Sequence, residues 1–486
     1  MTEPSRAMPS PSRSDLDAIV VGAGPNGLAA AITLARAGRS VRVYEAATTV
    51  GGGTRTAELT LPGFRHDVCS TIVSLALASP FFVGIDLARH GVEFVQPDAP
   101  AAHPLDGGRV AVLERSVAAT AAGLGSPDGR AWARLFGPLV RDAPKLAGEV
   151  LRPVVRPPRH LGALTRFGIP ALRSAEGLAR SRFESEEARA LFAGISAHSM
   201  LALDRPLSAS FGLVLALFAH AVGWPMVRGG SQVLADALAA ELRETGGEIV
   251  TGHRVSTLDE LPPATAVLLD VTPRQLLTIA GDRLPARSRR AAERFRYGPG
   301  IFKVDWALDG PVPWTAEGAR RAGTLHLGGT LEAIARSEAE VAAGRIPDRP
   351  YVLFVQYDPW DPTRAPAGKT TAWAYCHVPS GSPVDMTERI EAQVERFAPG
   401  FRDRILGRAT HTPAEMAAHD ENYVGGDING GIQDIRQLIL RPWPAIDPYR
   451  VGDGIYLCSS STPPGGGVHG MSGMHAAHSA LRHALR

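Results

Sequence analysis

The chain has 486 residues, of which 44% are hydrophobic and 21% are charged, a composition typical of a folded protein with two domains or one large composite fold. Its 51 basic and 49 acidic residues nearly balance, which argues against a nucleic-acid partner held by a global positive field. The three cysteines are too widely spaced for a zinc site or a dithiol redox centre, so we expect no metal and a reducing cytoplasm.

The first predicted segment, residues 1–14, is rich in Pro and Ser and is expected to be a disordered tail rather than a signal peptide. The apolar runs at 71–85 and 209–224 are too short or too polar for a membrane span. We expect them in the wall of a buried pocket.

Residues 17–45 are predicted to form a strand, a tight turn, a helix and a second strand that ends on an acid. Gly22 permits the turn, Gly24 lets backbone N–H groups approach a pyrophosphate, and Gly27 lets the helix pack on the strand. The helix N-terminus then faces the phosphates, and Glu45 stands where an acid accepts the ribose hydroxyls of a dinucleotide. Pro25, Asn26 and Ala46, which neighbour these residues in the sequence, are also predicted to contact the dinucleotide.

The loop GGGTRT at 51–56 places a flexible backbone beside Arg55, which could bind the same pyrophosphate through two hydrogen bonds. An NAD-binding Rossmann unit does not need this second phosphate contact, so the loop favours FAD. The residues assigned to it are Gly52, Gly53, Thr54 and Arg55.

With this loop the sequence resembles the phytoene desaturase-like FAD-dependent oxidoreductases, relatives of the flavin amine oxidases, and in particular a bacterial branch of them. In that family a Gly-Gly-x-x-Arg-type loop follows the ribose acid, and the resemblance covers nearly the whole chain. It implies an α/β fold with a discontinuous FAD-binding, Rossmann-like domain of the glutathione reductase type and an inserted mixed α+β substrate domain. The implied FAD-binding segments are 15–85, 225–285 and 440–486, and the substrate domain takes 86–224 and 286–439.

Residues 64–71, FRHDVCST, follow the arginine loop and are expected to enter the substrate side. His66 and Asp67 could form an acid/base pair, although neighbours on a strand point to opposite faces, and the alternative is a structural polar residue. Cys69 has no adjacent base or cation in the sequence, so we expect a buried thiol.

The stretch 152–182 interleaves seven arginines with apolar residues and holds one acid, Glu176. It could lie on an anionic membrane surface and admit a lipophilic substrate, which would add a peripheral membrane contact to a cytoplasmic protein. A solvated helical face is the alternative.

Residues 225–285 are predicted to return to the nucleotide domain as a turn, a helix capped by Ser231 and stopped by Gly246, and a strand. The family resemblance puts the Val255 backbone against the adenine. The stretch AVLLDVTP is expected to continue as a buried strand. We find no second glycine-rich turn with an acid, so we expect no NADPH-binding domain.

Lys303 lies in a stretch that resembles the strand of flavin amine oxidases in which a lysine approaches flavin N5 through a water. Lysine occurs only at Lys145, Lys303 and Lys369, so an ammonium group could be specifically required at this position. A solvated strand lysine is the alternative.

The loop GGDINGG at 425–431 corresponds to a family loop near the flavin ring. Asp427 and Asn429 could therefore orient substrate or a proton, and a plain turn is the alternative. Some relatives carry histidine where Gly430 stands, so no general base is carried over there.

The last segment, 452–470, matches the family's return to the cofactor, with a strand, a glycine-rich turn and a helix. Glycines remove side chains where the ring must lie, and the helix offers another positive N-terminus. Relatives often have Gly-Ala-Gly or Gly-Asp after the strand where this chain has three serines. The residues implied at the flavin are Ser460, Gly466, Gly467 and Val468.

The resemblance implies an enzyme whose non-covalently bound FAD takes hydride at N5 from a largely apolar small molecule and passes electrons to oxygen, a quinone or another diffusible acceptor. Two alternatives stay open: a redox-neutral flavin-dependent isomerase and a non-catalytic scaffold stabilised by FAD. Fold alone does not choose among them, and the substrate and oligomeric state leave no local signature.

Overall fold

The computed structural model describes residues 16–153 and 155–486, and the predicted tail at 1–14 lies outside them. The strands are β1 (Leu16–Val21), β2 (Val41–Tyr44), β3 (Thr56–Ala57), β4 (His66–Asp67), β5 (Phe94–Val95), β6 (Ala99–Pro104), β7 (Val110–Leu113), β8 (Met226–Val227), β9 (Glu248–Val250), β10 (Ala264–Leu269), β11 (Gly300–Leu308), β12 (Ala322–Leu327), β13 (Val352–Gln356), β14 (Thr370–Val378), β15 (Ile405–His411) and β16 (Ile455–Leu457).

Helices occupy most of the remaining chain. They are α1 (Pro25–Arg36), α2 (Ser74–Ala78), α3 (Pro80–Val83), α4 (Val117–Leu124), α5 (Asp128–Arg141), α6 (Ala143–Val150), α7 (Leu161–Ala171), α8 (Ala175–Arg182), α9 (Glu186–Ser196), α10 (Ser208–Ala221), α11 (Ser231–Glu244), α12 (Pro273–Ala280), α13 (Ala286–Glu293), α14 (Glu317–Arg320), α15 (Leu331–Ala342), α16 (Thr387–Phe397), α17 (Pro413–His419), α18 (Ile435–Ile439) and α19 (Met471–His483). Among the described residues, every helix is too short or too polar to cross a bilayer.

One sheet has five parallel strands in the order β16, β10, β1, β2, β9. Its central strands are nearly continuous apolar runs because helices cover both faces, as parallel sheets require. The strands come from three distant stretches of chain, so this Rossmann-like unit is discontinuous.

The second sheet has seven strands in the order β15, β11, β14, β13, β12, β6, β7, and it is mixed because β12 pairs with β6 in parallel. Helices α5 to α10 pack on one face around the buried rings of Trp132 and Phe136. Helix α16 packs on the other face through Ile390 and Val394. The predicted α/β class with a separate mixed α+β unit is confirmed, while the exact domain bounds stay a prediction.

Helix α1 shows how the glycine pattern positions the cofactor-binding end of the first sheet. Pro25 fills the first helical position, where its missing N–H leaves no intrahelical bond unmade. A Cβ on Gly27 would lie 2.0 Å from the Gly22 carbonyl oxygen, so only glycine lets the helix meet the strand this closely.

The start of α11 differs from the prediction. The capping residue is Gly230, at φ +121°, while Ser231 is the first residue of the helix and donates its hydroxyl to the Ser70 carbonyl at 2.6 Å. Ser231 therefore ties the second stretch of the discontinuous Rossmann-like unit to the first instead of capping its own helix.

Candidate functional site

A large cavity of about 860 Å³ opens at the carboxyl ends of the parallel strands, where α/β sheets bind ligands. Most residues that the sequence assigns to the cofactor line it: Gly22, Gly24, Pro25, Asn26, Glu45, Ala46, Gly52, Gly53, Thr54, Arg55, Val255, Ser460, Gly467 and Val468. Gly27 lies beneath the turn, and Gly466 lines the neighbouring cavity described below.

Glu45 follows the end of β2 and accepts hydrogen bonds from the backbone N–H groups of Ala23 at 2.7 Å and Ala47 at 2.9 Å. Arg55 pairs with its carboxylate at 3.1 Å. These contacts fix the acid on the cavity wall at the position predicted for the ribose hydroxyls.

The hydrogen bonds of Arg55 indicate whether the cavity suits a diphosphate. Its side chain is largely buried on the cavity wall, and its Nε atom finds no hydrogen-bond acceptor among the described residues. A buried guanidinium N–H without a partner is costly, and a phosphate oxygen would satisfy it. The residues present therefore fit a dinucleotide.

Asp270, which no sequence motif singled out, directly follows β10 and lines the cavity beneath the glycine turn. Its Oδ2 atom accepts the Gly27 N–H at 2.8 Å. Burial raises the pKa of Asp270 to about 8, and the nearby carboxyls of Asp420 and Glu45 raise it further against the Gly27 hydrogen bond. The raised pKa favours the uncharged carboxyl, which reduces its repulsion of a pyrophosphate.

The three serines after β16 have different roles. The hydroxyls of Ser459 and Ser461 donate to the carbonyls of Val271 at 2.6 Å and Gly430 at 2.8 Å. The Ser460 hydroxyl has only a long contact with Asn26, at 3.4 Å, and Ser460 lines the cavity. Ser460 is therefore the serine that keeps a hydroxyl available for a cofactor.

A second cavity of about 460 Å³ adjoins the first and is mainly apolar. Both apolar runs noted in the sequence contribute to its wall, through residues such as Ile72, Leu75, Phe211 and Val214. Trp373 of β14 also contributes.

The two cavities share six wall residues, and these define the boundary between them. They are Cys69, Ser70, Ile428, Asn429, Gly467 and Val468. A dinucleotide in the first cavity that extended to this boundary would present its end to whatever occupies the second.

The structure separates the two polar residues of the 425–431 loop. Asp427 is fully buried, and its carboxylate accepts the backbone N–H groups of Gly298, Asn429 and Gly431 at 2.7 to 2.9 Å, so it shapes the loop. Asn429 instead lies on the wall of both cavities. Burial raises the pKa of Asp427.

Lys303 and His66 lie in a buried cluster, outside the walls of both cavities. Lys303 Nζ donates to Asp305 at 2.5 Å and lies 5.2 Å from the centroid of the Trp373 ring. His66 Nδ1 is 3.5 Å from Asp305, and burial, reinforced by the Lys303 charge, lowers the pKa of His66 to about 3. A catalytic contact by either residue stays a prediction.

Asp67 points away from His66, as alternation along a strand requires. Its carboxylate accepts hydrogen bonds from the Thr56 and Thr71 hydroxyls and the Ser231 N–H, and it pairs with Arg364 at 3.0 Å. Asp67 thus connects three distant stretches of chain: its own, the start of α11 and the segment between β13 and β14. Its role here is structural.

Comparison with known proteins gives three informative matches. A family model described as an NAD(P)-binding Rossmann-like domain matches residues 20–79. Pyridine nucleotide-disulfide oxidoreductase domain-containing protein 2 of Rattus norvegicus is 26% identical over 97% of this chain and 94% of its own. Hydroxyneurosporene desaturase of Cereibacter sphaeroides is 31% identical over about half of each chain, 49% and 50%.

Among solved structures, cyclohexylamine oxidase of Brevibacterium oxydans matches with a TM-score of 0.58 and 18% identity, over 97% of this chain and all of that one. At this identity the match shows the shared fold. Together the matches support the kinship with flavin amine oxidase-type oxidoreductases that the sequence predicts. The family resemblance and the FAD cofactor predicted from the sequence are thereby confirmed.

Proposed function

We propose that this flavoprotein dehydrogenates a largely apolar small molecule bound in the second cavity. Bound FAD would supply a hydride acceptor at N5 of its ring. The observation that carries the proposal is the six-residue boundary, because it brings an apolar cavity directly against the end of a cavity suited to a dinucleotide.

The chain's own residues would hold the two reactants in place. Glu45 and Arg55 would bind the ribose and the pyrophosphate, while Asn429 and the backbone at Gly467 would face the ring. The apolar wall would exclude water from the reacting carbon, since it offers few groups that solvent could hydrogen-bond. A diffusible molecule, such as oxygen or a quinone, would then reoxidise the cofactor.

The proposal is tested by incubating the purified, FAD-loaded protein without oxygen in pools of lipophilic alcohols, amines and polyenes. Bleaching of the visible flavin absorbance by one pool, followed by recovery in air, would support dehydrogenation. A bound flavin that no pool reduces would instead favour the redox-neutral isomerase or the scaffold.

Lys303 is proposed to act on the reaction through its charge. It lies outside the cavity walls, yet its ammonium group acts electrostatically on Cys69, a boundary residue: burial raises the pKa of that thiol to about 11, and Lys303 partly opposes the rise. A buried charge within about 10 Å of a charge-transfer step alters its free energy by about 1 to 2 kcal/mol.

We therefore expect Lys303→Met to retain FAD and to slow flavin reduction or reoxidation at least tenfold, measured by stopped-flow absorbance. Lys369→Met is the matched control, because Lys369 pairs with Asp309 at the surface. Half-reactions unchanged in Lys303→Met would show that the lysine has only a packing role.

The mouth of the apolar cavity is proposed to rest on an anionic membrane surface. Apolar side chains are exposed on two helices that contribute to the cavity wall, with Leu161 and Ile169 each 66% exposed on α7 and Ile439 37% exposed on α18. Leu172 and Ile439 also line the cavity, so exposed apolar surface continues into it. Exposed arginines such as Arg159 supply the charge that anionic headgroups attract.

If the cavity mouth rests on an anionic membrane, we expect the protein to co-sediment with vesicles that contain phosphatidylserine and not with neutral phosphatidylcholine vesicles. The pair Arg159→Gln and Arg166→Gln should reduce binding about thirtyfold, because each arginine near an anionic surface contributes about 1 kcal/mol. The control pair Arg287→Gln and Arg290→Gln removes exposed arginines from α13. Equal losses in both pairs, or no vesicle binding at all, would refute the contact.

A further inference from the structure

Two ring side chains on the wall of the apolar cavity carry polar atoms whose hydrogen-bonding capacity the described residues leave unused. His198 lines the cavity through a partly exposed side chain, and its Nδ1 atom has no partner. The Tyr375 hydroxyl also lines the cavity and likewise makes no hydrogen bond to the described residues. By contrast, the cavity hydroxyl of Ser210 is already used, since it donates to the Leu207 carbonyl at 2.6 Å.

A ladder of rings connects these two side chains behind the wall. The His198 and His326 rings are 5.1 Å apart, and Tyr351 follows His326 at 6.1 Å. His377 then lies 5.7 Å from Tyr351 and 5.6 Å from Tyr375. The rings are packed against one another, so the positions of His198 and Tyr375 on the wall are fixed by the packing behind them.

The hydrogen bonds of the buried imidazoles determine which nitrogen carries the proton. His103 Nε2 lies 2.6 Å from the Gly329 carbonyl, which can only accept, so His103 is protonated at Nε2 and its buried Nδ1 is bare. His326 Nε2 lies 2.9 Å from His198 Nε2, and its own Nδ1 is buried without a partner. An unprotonated nitrogen is the better choice for this buried Nδ1 atom, because buried N–H groups without a hydrogen-bond acceptor are rare in proteins.

His326 therefore donates from Nε2 to His198 Nε2. His198 must then carry its proton on Nδ1, the atom that is open to the cavity. Burial lowers the pKa of His198 to about 3, with a smaller contribution from His377, so the ring stays neutral and carries a single proton. The wall consequently presents two neutral donors, an imidazole N–H and a phenol O–H.

We infer that His198 and Tyr375 form a donor pair that binds an uncharged oxygen acceptor, such as a ketone or ester carbonyl, on an otherwise apolar substrate. This inference rests on the proposed function, since it requires the apolar cavity to be the substrate site. Two neutral donors would bind a carbonyl oxygen, whereas an ammonium group would find only the Tyr375 oxygen as an acceptor and would lose its hydration. The substrate class is thereby narrowed from any lipophilic molecule to an apolar molecule with one oxygen acceptor.

The test compares three ligands of matched chain length, namely undecane, 2-undecanone and undecylamine. Dissociation constants are measured on the FAD-loaded protein from changes in the visible flavin spectrum and, independently, by calorimetry. We expect 2-undecanone to bind about tenfold more tightly than undecane, and undecylamine to gain nothing over undecane. His198→Leu should remove the advantage of the ketone while leaving the affinity for undecane within twofold.

Further variants separate hydrogen bonding from packing. Tyr375→Phe should remove part of the ketone's advantage, and His198→Gln, which keeps an N–H donor, should restore part of it. Ser210→Ala is the control and should change nothing, since its hydroxyl is already bonded to the chain.

Equal affinities for ketone and alkane, or an advantage that survives both His198→Leu and Tyr375→Phe, would overturn the donor pair and leave the proposed function standing. A preference for undecylamine would overturn the tautomer assignment and with it the inference. If none of the three ligands bound by either method, the cavity would not be an apolar ligand site, and the proposed function would fall together with the inference.

Discussion

Replacing Gly473 with alanine is expected to destabilise the protein by about 3 kcal/mol or more and to abolish stable FAD binding. Gly473 lies in α19 where this helix crosses α1, and a Cβ there would lie 1.8 Å from the Asn26 carbonyl oxygen. Backbone cannot move away as a flexible side chain can, so α19 must shift off α1. Because α1 carries the glycine turn, the shift would distort the phosphate-binding end of the cofactor cavity.

Gly148→Ala is the matched control, since Gly148 is also helical and a Cβ there meets nothing within 4 Å. That variant should be as stable as the parent or up to about 1 kcal/mol more stable, because alanine is the better helix former. Chemical unfolding and the FAD-to-protein ratio measure both effects. A Gly473→Ala protein with parental stability and full FAD would contradict the close helix crossing.

The second large effect is expected for Asp67→Asn, which should lower the free energy of unfolding by about 3 to 5 kcal/mol. Burial opposes the charged form of Asp67, but its ion pair and hydrogen bond with Arg364 outweigh burial and hold the pKa below its ordinary value. The Arg364 side chain is 1% exposed and lies 4.3 Å from the Tyr357 ring. With asparagine at position 67, the buried Arg364 guanidinium would keep Asp361 as its remaining carboxylate partner.

Asp282→Asn provides the control for Asp67→Asn because Asp282 is 98% exposed and pairs with Arg289 at the surface. Surface pairs contribute little, so its cost should stay below about 1 kcal/mol. Urea unfolding followed by circular dichroism measures the difference between the two variants. Similar small losses in both would show that Asp67 does not hold the parts of the chain together.

The sequence was most informative where function depends on backbone shape. Gly22 and Gly27 could be assigned because a tight turn and a close helix approach admit no other residue, and those constraints act within six residues of chain. Glu45 followed from the end of the second strand. The return of the chain to this domain near residue 455 was instead implied by the family resemblance.

Long-range packing set the limits of prediction from sequence. Gly473 looked like an ordinary residue of an alanine-rich helix, since its contact with Asn26 is made across more than 400 residues of chain. Asp270 was read as part of a buried strand, although an acid that ends an apolar strand of a parallel sheet is a usable signal for a ligand-facing position.

The substrate side was harder still to predict, because its cavity wall is assembled from remote elements. His198, Trp373 and Asn429 come from separate parts of the chain and meet only through the packing of α10 and the seven-stranded sheet. No spacing rule links them, so the donor pair could be found only from the hydrogen bonds that the buried imidazoles make.

The central claim is that the flavin ring ends at the boundary between the two cavities. A crystal structure of the FAD-loaded protein tests it most directly. The account predicts the isoalloxazine ring in contact with Asn429, Val468 and Cys69, with one edge open to the apolar cavity. A ring that contacts none of these residues, or that is walled off from the apolar cavity by protein, would contradict it.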